Sequence, residues 1–151
     1  MKLDQAIKQT TFSSQNQEIT LNFMYTYNRF KEGLKNFFKP YGITSQQFNV
    51  LRILRGNYPN PYSTSQVRTR MLDKMSDASR IVDRLVKKGL VSRTVTKADK
   101  RLVDVVITAA GLELLAKIDG PLEKAMERSF SQFSNAEKSD FVGLLEKIRE
   151  N

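Results

Sequence analysis

Residues 91–108 read VSRTVTKADKRLVDVVIT, two runs rich in Val, Thr and Ile on either side of the charged segment KADKR. Short runs of β-branched residues favour strands, and a polar segment between two such runs is typical of a hairpin. The chain on both sides mostly repeats apolar residues at steps of three and four, as helices do. The sequence therefore predicts a mainly α fold with one isolated β-hairpin, whose tip carries Lys97, Asp99, Lys100 and Arg101.

Two helices are predicted immediately before the hairpin. Ser63 and Gln66 match the capping box S-x-x-Q, so a short helix should begin there and end at about Leu72. A basic helix should follow over residues 75–88 and stop at Gly89, a residue common just after a helix end. The predicted buried face of this second helix consists of Met75, Ala78, Ile81, Val82, Leu85 and Val86.

Long amphipathic helices are predicted at both ends of the chain. One should span residues 15–39, a second should start near Ala109 and resume or kink at Gly120–Pro121, and a last one should follow a capping box at Ser134. Immediately before Ser63, residues 56–62 (GNYPNPY) are a turn by composition. The apolar side chains of the end helices can pack inside one monomer or form a dimer interface. They include Phe23, Tyr27, Phe30, Phe37, Phe130, Phe133, Phe141 and Leu145.

The order short helix, tight turn, basic helix and hairpin is that of a winged helix–turn–helix, which places its second helix in the major groove of DNA. The polar side of the basic helix could contact base edges, and the hairpin tip could enter the minor groove or follow phosphates. Asp99 is expected to hold Arg101 or the turn in place. The alternatives are a merely solvated helix face and a charged tip that protects a strand edge. The predicted DNA-binding residues are Ser63, Ser65, Gln66, Arg68, Ser76, Asp77, Ser79, Arg80, Arg84, Lys87, Lys97, Asp99, Lys100 and Arg101.

The distribution of charge agrees with a polyanionic partner. The formal net charge is +9 and the pI about 9.9. Between Arg68 and Arg101 the chain has eleven of its 25 Lys and Arg residues but only four of its 16 acidic residues. A cation excess concentrated in under a quarter of the chain is the electrostatic pattern of a nucleic-acid-binding surface.

The composition excludes several classes of function. The chain contains neither Cys nor His, so thiol catalysis, thiolate metal sites, disulfides, histidine bases and histidine metal ligands are excluded. Its seven glycines are scattered and form no phosphate-binding loop. No apolar run is long enough to span a membrane, and residues 1–20 lack a signal-peptide core. We therefore expect a cytoplasmic protein that is not an enzyme and has no cofactor, metal site or catalytic residue.

The sequence resembles the MarR family of bacterial winged-helix transcriptional regulators. The resemblance rests on ITSQQFNVL (43–51), SRIVDRLVKKGLVSR (79–93), DKR (99–101) and VVITAAGLELL (105–115), and it extends over nearly the whole chain. It implies a single domain over residues 1–151. In this domain a DNA-binding lobe, residues 43–108, would be flanked by dimerisation helices over residues 15–39 and 109–151.

The predicted function is that of a sequence-specific regulator of transcription. We expect a homodimer that binds double-stranded DNA at a palindromic operator as a repressor; the alternative is a winged-helix dimer that binds proteins without reading DNA. The resemblance also implies an effector that is small and aromatic or anionic. Aromatic walls and a cation for it could come from Tyr25, Tyr27, Arg29, Phe48 and Arg52, although such aromatics could equally be core and the arginines surface.

Overall fold

The protein is described by a computed structural model over residues 2–95 and 103–150. In these ranges the chain forms seven helices, a short 3₁₀ turn at residues 39–41 and a small antiparallel sheet. The helices are α1 (Leu3–Ile7), α2 (Gln15–Phe38), α3 (Ser45–Arg55), α4 (Thr64–Arg70), α5 (Ala78–Lys87), α6 (Ala109–Ser129) and α7 (Asn135–Arg149), and the strands are β1 (Tyr62–Ser63), β2 (Val91–Val95) and β3 (Val103–Ile107). The mainly α fold with a small β wing is confirmed.

Side-chain caps fix where most of these helices begin. Reciprocal capping boxes join Thr44 to Gln47 before α3, Ser63 to Gln66 before α4, and Ser134 to Glu137 before α7. In each, the hydroxyl accepts from the third N–H of the helix while the Gln or Glu side chain accepts from the backbone of the capping residue. The helix starts predicted from the boxes at Ser63 and Ser134 are therefore confirmed.

The start of α5 differs from the prediction. Met75 does not open the helix and does not belong to its buried face, because Asp77 caps a helix that starts at Ala78, and the Met75 side chain is 94% exposed. The α4 helix also ends at Arg70, two residues earlier than predicted. Periodic apolar spacing continued back through Met75, but the Asp77 carboxylate accepts the N–H of Arg80 at 3.1 Å and so sets the first turn.

The hairpin is not isolated, contrary to the prediction. Tyr62, the last residue of the predicted turn GNYPNPY, and Ser63 form β1. They pair with Val105 and Asp104 of β3, so the strand order is β1–β3–β2. Ser63 thus belongs to the sheet through its backbone and caps α4 through its side chain. This residue connects the wing sheet directly to the helix–turn–helix.

One hydrophobic core joins the predicted lobe to its flanks. It contains Phe38 at the end of α2 together with Leu115, Ile118 and Leu122 of α6, beside residues of α3, α4, α5 and the sheet. The α6 helix continues as one element through Pro121. The predicted lobe of residues 43–108 therefore does not have a core of its own, since the first half of α6 completes it.

The junction of β3 and α6 is close-packed around Gly111. The Thr108 hydroxyl accepts the N–H of Gly111 at 3.2 Å and donates to the carbonyl of Gly89 at 2.7 Å. A Cβ at position 111 would lie 2.4 Å from the carbonyl oxygen of Leu90 and 2.6 Å from Cγ1 of Ile107. Only glycine allows α6 to leave the sheet at this distance.

Candidate nucleic-acid interface

A groove of about 480 Å³ separates the start of α4 from the start of α5. It lies between the two helices of the helix–turn–helix, the motif whose second helix enters the major groove in DNA-binding proteins. Residues from both helices and from the loop between them line it: Thr64, Ser65, Arg68, Met75, Ser76, Asp77, Ala78 and Ser79. The structure brings five of the predicted DNA-binding residues together here, namely Ser65, Arg68, Ser76, Asp77 and Ser79.

Two predicted DNA-binding residues are occupied in positioning α4. The Ser63 hydroxyl accepts the N–H of Gln66 at 3.2 Å, and the Gln66 side-chain oxygen accepts the N–H of Ser63 at 2.8 Å. These bonds use the two side-chain oxygens as acceptors, so the Ser63 hydroxyl and the Gln66 amide can still donate to another group. Ser63 and Gln66 therefore orient Ser65 and Arg68 toward the groove through the backbone of α4.

The loop before α5 is fixed by one carboxylate. Asp73 accepts from the backbone N–H of Met75 at 3.0 Å and from the Ser76 hydroxyl at 2.7 Å. These hydrogen bonds, first the one from Ser76, hold the pKa of Asp73 below its ordinary value. Asp77, one of the predicted DNA-binding residues, uses one oxygen to cap α5. Asp77 is also one of the residues that line the groove.

The outward face of α5 is strongly cationic. Arg80, Arg84 and Lys87 are exposed, whereas Ala78, Val82 and Leu85 on the other side are at most 3% exposed. The helix is thus divided into a face that the core holds and a face of three cations that solvent reaches. This division was predicted from the spacing and is confirmed.

An ion pair that sequence reasoning missed connects α5 to the wing. Arg93 of β2 donates to the Asp83 carboxylate on the exposed side of α5. No local sequence pattern predicts this ion pair, because the two residues lie ten positions apart and come into contact only when β2 folds back beside α5. The predicted tip residues Lys97, Asp99, Lys100 and Arg101 lie outside the described residues.

The predicted effector residues are not gathered at one place. Phe48 is only 8% exposed and packs on Phe38 with ring centroids 4.7 Å apart, so it belongs to the core, the second of the two roles considered for it. The Arg52 guanidinium lies 6.0 Å from the Phe48 ring centroid. Tyr25 is partly buried, and the exposed Tyr27 ring has the Lys31 ammonium at 5.8 Å.

Arg29 lies instead in a second groove, of about 450 Å³, between α2 and α6. Thr26 and Ser129 add hydroxyls to its wall, and the remaining lining is mostly apolar. Its other lining residues are Phe30, Gly33, Leu34, Phe37, Leu122, Ala125 and Met126.

Comparison with known proteins identifies the family. Residues 41–102 match the MarR family model. A MarR transcription factor from Planctomyces limnophilus has a crystal structure that is 33% identical, with a TM-score of 0.70 over 90% of this chain and 98% of that one. The HTH-type transcriptional regulator YkoM of Bacillus subtilis, itself uncharacterised, is 31% identical over 111 residues, which are 72% of this chain and 70% of YkoM.

The chain belongs to the MarR family. It is therefore a member of a family of DNA-binding transcriptional regulators, and the relatives named are regulators rather than enzymes. A mutant of Escherichia coli MarR complexed with operator DNA has the same fold, with 24% identity and a TM-score of 0.72 over 84% of this chain and 91% of that one.

In residues 2–95 and 103–150, no three Asp or Glu side chains cluster as metal ligands would. No helix in the same ranges combines the length and apolarity that crossing a bilayer requires.

Proposed function

We propose that this MarR-family protein is a sequence-specific repressor that binds a palindromic operator as a homodimer. The observation that carries the proposal is the division of α5 into a buried face and a face bearing Arg80, Arg84 and Lys87, beside a groove lined by small polar residues. A helix of this kind fits the major groove, where the cations neutralise phosphates and the side chains of the first turn reach base edges. Occupation of an operator that overlaps a promoter would then exclude the polymerase.

The dimer is supported by the apolar surface of the end helices. Phe30 of α2, Phe130 and Phe133 after α6, and Phe141 of α7 form a row with ring centroids 6.0–6.4 Å apart. Phe30, Phe133 and Phe141 are each 40% or 41% exposed in the single chain. A second copy would cover this row and would present two α5 helices with two-fold symmetry, as a palindrome requires.

The lining of the groove between α2 and α6 favours the proposal of a small anionic effector. Arg29 would bind a carboxylate and the apolar lining would hold an aromatic ring, which is the usual division of roles in a ligand pocket. The groove lies on two of the helices proposed to form the dimer. A ligand that binds better to one arrangement of these helices would shift the spacing of the two α5 helices and release the operator.

Selection from a random pool of duplexes tests the DNA-binding proposal. We expect an imperfect palindrome whose half-site centres lie about one helical turn apart. Arg80→Ala should flatten the slope of log K against log salt by roughly 0.9 for each phosphate contact it removes. Lys124→Ala, an exposed cation of α6, is the matched control and should leave the slope unchanged.

The same measurement separates the alternative, a winged-helix dimer that binds only proteins. That alternative predicts weak binding to duplexes without sequence preference. It also predicts that the slope of log K against log salt is the same for Arg80→Ala and Lys124→Ala. In a purified transcription system, a repressor should lower transcription from a promoter that contains the selected site. An increase would contradict the repressor part of the proposal alone.

The effector is tested with benzoate at millimolar concentration. Benzoate should weaken operator binding by the wild type, and the effect should disappear in Arg29→Gln while binding without benzoate stays intact. Mild peroxide should not release DNA by a thiol switch, because the chain has no Cys. If benzoate weakens operator binding by Arg29→Gln as much as by the wild type, the effector does not bind at Arg29.

A further inference from the structure

Met75 is an apolar side chain that the fold leaves in solvent. The residue is 94% exposed, the highest value for a large hydrophobic residue in the part of the chain that the structure describes. Methionine is among the residues most often buried in proteins, but a single exposed methionine on a protein surface is also ordinary. This residue, however, lines the groove between α4 and α5 together with Ser65 and Arg68.

The position of Met75 is fixed even though its side chain touches solvent. Its backbone N–H donates to Asp73 at 3.0 Å, and the neighbouring Ser76 hydroxyl donates to the same carboxylate at 2.7 Å. Two residues later Asp77 caps α5. The loop therefore presents the thioether side chain at the N-terminal end of the recognition helix, where base contacts are made.

We propose that Met75 makes the protein select thymine at one position of each half-site by packing against the thymine C5-methyl group. This inference rests on the proposed function, since it requires that α5 enters the major groove. The C5-methyl is the apolar group that the major-groove edges of the four bases display, and the other bases present hydrogen-bonding atoms there. A flexible, polarisable thioether adapts well to a methyl surface.

The neighbours of Met75 explain why it would discriminate. Thr64, Ser65, Ser76 and Ser79 bring hydroxyls into the groove and Arg68 brings a cation, so these residues can hydrogen-bond to phosphates or to several bases. Met75 is the long apolar side chain among the groove-lining residues, and Ala78 and Thr64 add only a methyl group each. Leu72 is also exposed, at 87%, but it does not line the groove.

The test removes a single methyl group from the DNA. In the selected operator, each thymine is replaced in turn by deoxyuridine, symmetrically in both half-sites. A buried methyl is worth about four-fold in affinity, so replacement at the contacted position should weaken wild-type binding roughly 15-fold when both half-sites change. In Met75→Ala the same replacement should change affinity by less than about two-fold, because the side chain that packs on the methyl is gone.

Leu72→Ala is the matched control and should keep the full deoxyuridine effect. At the contacted position, a C·G pair whose cytosine carries a 5-methyl group should bind the wild type more tightly than the unmethylated C·G pair. The inference is overturned if no thymine shows the deoxyuridine effect in the wild type, or if the effect persists in Met75→Ala or disappears in Leu72→Ala. Failure of the wild type to select any duplex would overturn the proposed function itself, and the inference with it.

Discussion

Helices α5 and α7 both begin at a capping side chain, but their apolar faces lie in different environments. Both follow a capping side chain, Asp77 before α5 and Ser134 before α7, and both place apolar residues at helical spacing. The α5 helix buries Ala78, Val82 and Leu85 in the core of its own chain. None of the fifteen described residues of α7 is buried, and it leaves Phe141, Val142, Leu144 and Ile148 between 41% and 60% exposed.

The difference shows that one pattern can have two partners. An apolar stripe on a helix indicates that this face is buried against a partner, but it does not indicate whether the partner belongs to the same chain or to another one. For α5 the partners are within the chain, so its position relative to the wing is set in the monomer. For α7 the exposed stripe predicts that position and stability depend on a second copy, and therefore on protein concentration.

Truncation of the α5 stripe should have the largest effect. Leu85→Ala removes a side chain that is 0% exposed and should lower the free energy of unfolding by about 2–5 kcal/mol. Leu144→Ala, on a residue that is 60% exposed, should lower it by less than about 0.5 kcal/mol in dilute, monomeric protein. Urea denaturation measures both, and equal losses would remove the distinction between the two helices.

A charge in the aromatic row should break the proposed dimer. Phe141→Glu places a carboxylate beside Phe133 and should raise the dimer dissociation constant at least 30-fold, a cost of about 2 kcal/mol or more. Sedimentation velocity over a concentration series measures it, with Ser139→Glu on the polar side of α7 as control. Sedimentation of the wild type as a monomer at micromolar concentration would show that α7 is not an interface.

Two glycines give a paired test of how tightly each region is packed. Gly111→Ala forces a Cβ against the Leu90 carbonyl and should cost about 1–3 kcal/mol of folding free energy. Gly143→Ala in α7 meets nothing within 4 Å and should raise monomer stability by up to about 1 kcal/mol through helix propensity. Thermal denaturation measures both variants. If Gly143→Ala instead weakens the dimer, the two α7 backbones approach closely at this residue.

The smallest expected effect concerns the ion pair between α3 and α6. Arg55 donates to both Asp119 oxygens, at 2.6 and 3.1 Å, and this hydrogen bonding holds the pKa of Asp119 below its ordinary value of 3.8. The stabilisation is present above that value and disappears as the pH falls through the lowered pKa of the folded state. Because both side chains are about one-third to one-half exposed, Asp119→Asn should cost less than about 1 kcal/mol at pH 7. Urea midpoints at pH 7 and pH 3 should differ less in the variant than in the wild type.

Local signals in the sequence were sufficient for most helix starts but not for the first turn of α5. The boxes at Ser63 and Ser134 identify their helices because both partners lie within four residues. At α5, Asp73 and Asp77 each bind a backbone N–H, and spacing alone does not decide which of them begins the helix. The predicted helix therefore began too early and Met75 was assigned to the core.

Contacts between distant parts of the chain were the ones that sequence reasoning missed. Two residues of β1 carry no alternation, so their pairing with β3, more than 40 positions away, has no local signature. Asp83 and Arg93 are only ten positions apart, but they lie in different elements, so their ion pair has no local signature either. The cationic face of α5 was easier to predict, because a basic face opposite an apolar one can be recognised from helical spacing within α5 alone.

The double attachment of Ser63 bears on how the chain tolerates changes in length. Its backbone is in register with Asp104 of β3 and its side chain opens α4, so a residue inserted between Tyr62 and Gln66 would break either the strand register or the cap. Residues added between Gly56 and Asn60 would instead enlarge a surface turn whose ends are already anchored, at a small entropic cost. Length variants of this protein should therefore differ in that turn and keep a constant distance from Tyr62 to the start of α4.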